Sequence, residues 1–528
     1  MTRTVIFGLD GATYTVLDDL VRRGVMPFLG RFRAEGARGI LESVTPPLTP
    51  PAWTTLVTGR SPGHHGVTGF FQYSSATSDS LEIASARNVH AETIWSLVNR
   101  YGLRAGCLNF VMHAPPPRFD GYLIPGWTPW RWVARFSRPK GVVERLAEEI
   151  DGFDVKQLAM DFEIERKAVA GARLDDYEGW IRLHIERDRQ WFAVLRRQLE
   201  RDPVELVGIV FDGVDKLQHL LWPYLDPALG SGDTAGWRRT RELCWEYFRQ
   251  IDGFLEETVR LAGPEANVLV VSDHGFTGSD EIFYVNTWLE REGYLVWKSD
   301  AEYVGDSHEL EPDFYHLAAF DMTKTHAFGL TASSNGIHIA VRGGRFDSGI
   351  APEEYEAFRQ ELTEALLKRC RHPETGRPLV DRVWRREEVF AGPHMGLAPD
   401  LTLTLADHSF FSVRRGTGLV SKRPEATGTH HPDGVFLARG PAIRRGADVG
   451  RLRLLDIAPV VYRSLGLRPE AQFEGCIPAG ILEEANILAA AAPAATMRPA
   501  VPDPMEDVPE LSDDEEIFER LKALGYIE

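Results

Sequence analysis

The chemistry-bearing residues of this chain stand at the ends of short apolar runs. Asp10 follows Thr4–Leu9 (TVIFGL), and Asp273-His274 follow Asn267–Ser272 (NVLVVS). Asp215 and His219 lie in the run from Asp212 to His219, directly after Val204–Phe211 (VELVGIVF). His430 comes from a loop, Gly428-Thr429-His430-His431, ahead of the apolar run Gly434–Ala438. Asp215 and His219 are four apart, so on a helical turn they share one face, a good spacing for two ligands on one ion. Three carboxylates and three imidazoles suit borderline divalent ions such as Zn²⁺ or Mn²⁺, and three of each is enough for two sites. Two such ions about 4 Å apart form a clamp for in-line phosphoryl displacement. No single piece is diagnostic, because a lone Asp after a strand is commonly a helix N-cap. The ordered set carries the reading.

A nucleophile candidate lies between the first and second of these groups, in Thr45–Gly66 (TPPLTPPAWTTLVTGRSPGHHG). Prolines are tolerated in a first helical turn, so Pro50 and Pro51 open a short helix that Gly59 closes. Thr49 then sits at a helix N-terminus, where free N–H groups and the dipole favour an alkoxide or a phosphate oxygen. Taken alone it is an ordinary N-cap. His65, in the tight turn that follows, reads as a structural residue.

The elements that must position these groups are those of an open α/β sheet, in which ligands collect at the carboxyl ends of parallel strands. Strands are expected at Thr4–Leu9, 103–110, Val204–Phe211, Asn267–Ser272, Asp400–Leu405 and Gly434–Ala438. Helices are expected at Leu17–Glu35, 174–200 and Leu454–Leu465. Between them, Trp127, Trp130, Trp132, Arg131 and Arg135 make an aromatic and basic patch after Pro115–Pro117. It reads either as the wall of a substrate pocket or as the small core of an inserted segment.

Composition excludes several classes. A net charge of −18 without a Lys/Arg-rich block speaks against a nucleic-acid surface. Small anionic substrates remain compatible, because a metal's local charge outweighs the global field. Four scattered cysteines with no CxxC spacing read as reduced core residues. No apolar run reaches membrane-spanning length and MTRTVIFGLDG leads straight into a strand, so the expectation is a cytoplasmic protein with no membrane partner.

Together these motifs resemble the alkaline phosphatase superfamily, and within it the type I phosphodiesterase and nucleotide pyrophosphatase branch. The resemblance is carried by GLDG (Asp10), LTPPAWTTLVTGRSPGHHG (Thr49), DKLQH (Asp215, His219), SDHG (Asp273, His274) and GTHHPDG (His430), in that order along residues 1–480. It implies an α/β/α sandwich with a central, mostly parallel sheet and inserted cap segments. It also implies two divalent metal ions, Zn²⁺ with Mn²⁺ as the alternative. Asp10, Thr49, Asp273 and His274 would hold one ion; Asp215, His219 and His430 would hold the other. Thr49 would attack phosphorus and pass through a phospho-threonine intermediate.

One departure stands out. The branch carries an Asn three positions after the nucleophile that holds a phosphoryl oxygen, and here that position is Ala52. Arg60, a backbone N–H or Arg131 would hold that oxygen instead, and Trp53 and Trp127 are the further substrate-binding candidates, as an aromatic wall. The function implied is hydrolysis of a phosphodiester or nucleotide pyrophosphate, with a small phosphorylated molecule or nucleotide as partner and a homo-oligomer allowed. A phosphomonoesterase for a nucleotide or sugar phosphate, a phosphonate hydrolase, or a non-catalytic metal-binding module are the alternatives. The expected layout is a catalytic core at 1–110, 174–298 and 320–484. Inserted segments at 111–173 and 299–319 interrupt it. An Ala/Pro-rich linker at 485–511 leads to an amphipathic helix at 512–528, started by the Ser512/Glu515 capping box and striped by Ile517, Leu521 and Leu524.

Overall fold

The computed structural model describes residues 2–117, 120–159, 174–230, 232, 234–298 and 316–483. The linker, the C-terminal helix and most of the 299–319 insertion expected from sequence lie outside the described residues. In chain order the strands are β1 (Thr4–Leu9), β2 (Ala37–Glu42), β3 (Phe71–Tyr73), β4 (Leu81–Ile83), β5 (Ala105–Leu108), β6 (Gly121–Ile124), β7 (Leu206–Phe211) and β8 (Asn267–Val271). They continue with β9 (Gly275–Phe283), β10 (Ala327–Gly329), β11 (Gly336–Ile339), β12 (Val380–Arg385), β13 (Leu401–Leu405), β14 (Val420–His431), β15 (Asp433–Arg439) and β16 (Asp448–Arg453).

Eight of them form the central sheet in the order β16-β2-β15-β8-β1-β7-β5-β6. β1 pairs in parallel with β7 and β8, and β7 continues through β5 to β6 in the same sense. β15 alone runs against its neighbours β8 and β2. The strands at the middle of the sheet are apolar on both faces, as a covered sheet requires. Val5, Phe7 and Leu9 pack into one core with the Leu174–Arg201, Gly213–Leu225 and Ala235–Ala262 helices. Ile6 packs into the other core, with the Thr49–Thr58 and Ile457–Ser464 helices. The result is the α/β/α sandwich with a mostly parallel sheet that the motifs imply.

Three local expectations are revised. The single helix over Leu17–Glu35 is two helices, Tyr14–Arg22 and Pro27–Glu35, because Gly24 takes φ 74° and Pro27 starts the second one. Within the 111–173 segment, residues 121–124 are not an insertion but the edge strand β6 of the central sheet. The run at 400–405 does form a strand, but β13 belongs to a separate antiparallel sheet of order β10-β11-β13-β12 with its own apolar core.

Candidate metal centre

The carboxyl ends of the parallel strands bring the expected residues together. Asp10 continues β1, its N–H donating to the Phe211 carbonyl at 3.2 Å. Gly11 follows at φ 67°, and its N–H donates to Asp273 Oδ1 at 3.1 Å. A Cβ on Gly11 would lie 2.5 Å from the Phe276 ring, so this turn needs glycine both for its φ and for its space. The Gly213–Leu225 helix starts directly after β7 and is tied to the same turn by Gln218 Nε2, which donates to the Gly11 carbonyl at 2.8 Å. Asp273 and His274 stand between β8 and β9. His430 is carried by β14, not by a loop as expected from sequence. β14 pairs with β9, placing His430 opposite Phe276. The antiparallel strand β15 then begins at the edge where its neighbours end, which is how a residue so late in the chain reaches this site.

The donor atoms form two overlapping clusters. Asp10, Asp273 and His274 offer ligand atoms within 4.8 Å of one another, and so do Asp215, His274 and His430. Asp215 Oδ1 lies 3.3 Å from both His219 Nε2 and His430 Nε2, and those two nitrogens are 3.0 Å apart. Thr49 Oγ1 is 3.2 Å from His274 Nε2. The His274 and His430 rings stack at 3.7 Å. Thr49, Asp10, Asp215, Asp273, His274 and His430 are all fully buried.

Two observations fit metal ligation. First, Asp10 Oδ1 and Asp273 Oδ2 are buried and accept no hydrogen bond, a costly state for carboxylate oxygens unless a cation completes them. Second, every imidazole has its Nδ1 against a backbone carbonyl. His219 faces Gly428 at 3.2 Å, His274 faces Gly275 at 3.2 Å and His430 faces Pro47 at 2.7 Å. With the proton on Nδ1, the Nε2 lone pair points into the cluster, which is how a histidine is prepared as a ligand.

The electrostatics agree. Burial, then the charges of Asp273 and Asp215, hold the Asp10 carboxyl well above its ordinary range. Burial raises Asp273 to about 8. Burial also pushes Asp215 up, but the neighbouring His219 and Lys216 outweigh it, and its carboxyl sits well below the usual range. Desolvation keeps His274 and His430 below the ordinary imidazole value. The site therefore holds both protonated and ionised carboxyls, and is ready to exchange protons for cations.

The helix that carries Thr49 corrects one expectation. It closes on Gly59 at φ 63° as read from sequence, but it spans Thr49–Thr58, so Leu48 rather than Thr49 is its N-cap. Its N-terminus, however, is poor in donors: Pro50 and Pro51 have no N–H, and the Ala52 N–H is bonded to the Leu48 carbonyl at 2.9 Å. The row of free amides expected at Thr49 is therefore absent from this helix start.

The substrate-binding candidates divide. Trp53 is buried, and its Nε1 donates to Asp10 Oδ2 at 3.4 Å, so it supports Asp10 from within the core. Arg60 is not brought to the site. It lies beyond the far end of the Thr49–Thr58 helix, where it donates to the Gln472 carbonyl at 2.7 Å and pairs with Glu474 at 3.0 Å. Of the three tryptophans, Trp127 reaches the site: its Nε1 donates to Asp212 Oδ2 at 3.2 Å and its ring stacks on Phe70. Trp132 packs on Phe136 and under Arg135, the small-core reading, while Trp130 is exposed beneath Lys156. Arg131 lies exposed on the Trp130–Phe136 helix. His65 is structural as expected, its Nε2 3.0 Å from Thr55 Oγ1.

Sequence reasoning missed the buried charges that flank the site. Lys216 Nζ lies 3.3 Å from Asp215 Oδ2 and 4.6 Å from the centre of the Trp127 ring. Arg187, from the Leu174–Arg201 helix, pairs with Asp212 in full burial. Although burial opposes it, Arg187 and then Lys216 hold Asp212 down at about 2. Asn109, Met112 and Trp127 take positive φ of 59°, 59° and 53° beside β5 and β6. Such strain in non-glycine residues gathers at functional edges, though it has no sequence signal.

A mostly parallel sandwich whose sheet edge gathers these residues defines a hydrolase of the alkaline-phosphatase-like fold. The chain belongs to the type I phosphodiesterase / nucleotide pyrophosphatase family, whose model matches residues 4–433. Among solved structures it resembles murine ectonucleotide pyrophosphatase/phosphodiesterase 5, both alone and as an inactive variant in complex with AMP. Each likeness has a TM-score of 0.51 at 14% identity, covering 91–92% of this chain and 100% of the other. No curated protein sequence matches the chain.

Proposed function

We propose that the chain is a two-ion hydrolase of a nucleotide-type phosphodiester or pyrophosphate, with Thr49 as its nucleophile. The observation that carries this reading is Thr49 Oγ1 lying 3.2 Å from His274 Nε2, inside a buried set of carboxylate and imidazole donors. Asp10, Thr49, Asp273 and His274 would hold one ion; Asp215, His219 and His430 would hold the other. Zn²⁺ suits this nitrogen-rich set, with Mn²⁺ as the alternative. Bound there, the ions would acidify the threonine hydroxyl and neutralise charge on the phosphoryl oxygens.

The chain's own residues set the geometry. The Thr49 hydroxyl passes its proton to solvent water and its Oγ attacks phosphorus in line, forming a Thr49–phosphorus bond as the bond to the leaving oxygen breaks and that oxygen takes up a proton from water. Water then attacks the phospho-threonine, its oxygen bonding to phosphorus as the Thr49–phosphorus bond breaks, and one of its protons returns to Thr49 Oγ. Ala52 offers no side-chain donor to a non-bridging oxygen, so that contact falls to other groups at this edge. Phe70 and Trp127, with Met112 and Phe136, line a cavity of about 70 Å³, an apolar wall for the organic half of a diester. The murine relative's AMP complex supports a nucleotide as the substrate class.

The test is kcat/KM for bis(p-nitrophenyl) phosphate and a dinucleotide diester against p-nitrophenyl phosphate, on protein stripped of metal and reloaded. A diester preference, lost on chelation and restored by Zn²⁺ or Mn²⁺, is expected. A clear monoester preference would move the substrate class to phosphomonoesters. Full activity after exhaustive chelation would overturn the two-ion reading.

A further inference from the structure

Lys216 is the residue after a metal-ligand candidate, yet it is fully buried and turned inward. Burying an ammonium is costly unless it is paired, and its surroundings are specific. Its Nζ stands 3.3 Å from Asp215 Oδ2. The other oxygen of that carboxylate, Oδ1, is the one shared at 3.3 Å with His219 and His430. The two oxygens of Asp215 are thus divided: one faces the imidazoles and one faces a lysine. Under the ammonium lies the face of Trp127 at 4.6 Å. That indole is held by its bond to Asp212, and Asp212 is held by buried Arg187. The arrangement runs from the Leu174–Arg201 helix to one oxygen of one ligand.

Charge counting shows that neutralising the site is not its purpose. Three carboxylates against two divalent ions already leave a positive site, and Lys216 adds to that surplus. A cation there is useful for what it does to Asp215. Engaging Oδ2 stops that oxygen from turning to the ion, and it withdraws electron density from Oδ1.

Resting on the two-ion reading above, we propose that Lys216 is a positioning residue that restricts Asp215 to single-oxygen ligation. The ion shared with His219 and His430 is thereby held more loosely and stays a stronger Lewis acid. Its removal has an unusual signature. Damage to a site loosens metal, whereas freeing Asp215 Oδ2 should tighten it while slowing turnover.

The experiment compares the parent, K216L and K216R, each metal-stripped and titrated with Co²⁺ against a chromophoric chelator. Visible Co²⁺ absorption and bis(p-nitrophenyl) phosphate kinetics are recorded on the same samples. For K216L, one of the two Co²⁺ dissociation constants should fall roughly tenfold and the visible band should weaken as coordination number rises. Its kcat should drop by roughly tenfold or more with KM changed less than about threefold. K216R should restore most of the parent spectrum and kcat. K216L binding Co²⁺ no tighter than the parent, or with the parent's spectrum, overturns the proposal. If K216L does not fold, W127L carries the same test, with a smaller shift in the same direction expected and an unchanged Co²⁺ constant overturning it. A parent that binds no Co²⁺ overturns the two-ion reading and this inference with it. Parent binding with an unaltered K216L overturns this inference alone.

Discussion

Filling the site with metal should expel protons, and the number can be worked from the buried carboxyls. In metal-free protein burial lifts Asp273 to about 8, and burial with the nearby aspartates lifts Asp10 well above its usual range. Near pH 7 Asp273 therefore carries a proton, and it titrates together with the neighbouring Asp10. His274 and His430, depressed by desolvation, are neutral there and release none. Binding must displace at least the Asp273 proton, so affinity should rise roughly tenfold or more per pH unit. That is about 1.4 kcal/mol per unit for one proton. The assay is calorimetric titration with Mn²⁺ at pH 6.5, 7.0 and 7.5, in buffers of different ionisation enthalpy, which counts the protons directly. D273N, which has no proton to lose at that position, should release about one fewer and flatten the slope by about one decade per unit. The same shifts set the stability of the stripped protein. A carboxyl whose folded value lies above its unfolded value of about 3.9 stabilises fully below that value and loses the contribution as pH rises towards 8. The melting temperature of stripped protein should therefore fall from pH 5 to pH 8 more than that of D273N. Release of less than half a proton near pH 7, with equal slopes for parent and D273N, would refute the reasoning.

Other expected outcomes follow from single contacts. T49A should lose roughly 10³-fold or more in kcat on bis(p-nitrophenyl) phosphate while calorimetry still finds two ions, since the carboxylates and imidazoles remain. R60A should leave kcat/KM within about twofold, because its guanidinium is spent on Gln472 and Glu474 at the far end of its helix. R187M should cost roughly 3–5 kcal/mol in urea unfolding, because it removes the guanidinium paired with the buried Asp212 carboxylate. G11A should destabilise by at least about 1 kcal/mol and weaken metal binding, its Cβ meeting the Phe276 ring beside His274.

The candidate ligand positions were legible because they are coded locally. Asp10 and Asp273 end β-branched runs that could only be buried strands, and Asp215 and His219 obey the helical period immediately after one. Where the reading went astray, the deciding contact was remote. VSKRPEATGTHH has no strand pattern, and it is extended because β9 supplies a partner for it, so His430 was expected on a loop. Arg60 looked close to Thr49 by count, but a ten-residue helix separates them by roughly 15 Å. The prolines that marked the helix start correctly also stripped it of the donors expected there.

Lys216 marks the boundary between these two kinds of information. Its place beside Asp215 in the chain was plain, but a lysine in the first turn of a helix is ordinarily a solvated cation. Its inward turn depends on Trp127 arriving from the end of β6 and on Arg187 arriving from the Leu174–Arg201 helix to hold Asp212. Neither partner is near it in sequence, and each is kept in place by the same buried charges it supports. The first ligands of such a site can therefore be read from strand ends, whereas the groups that tune them become visible only once separate segments have packed together.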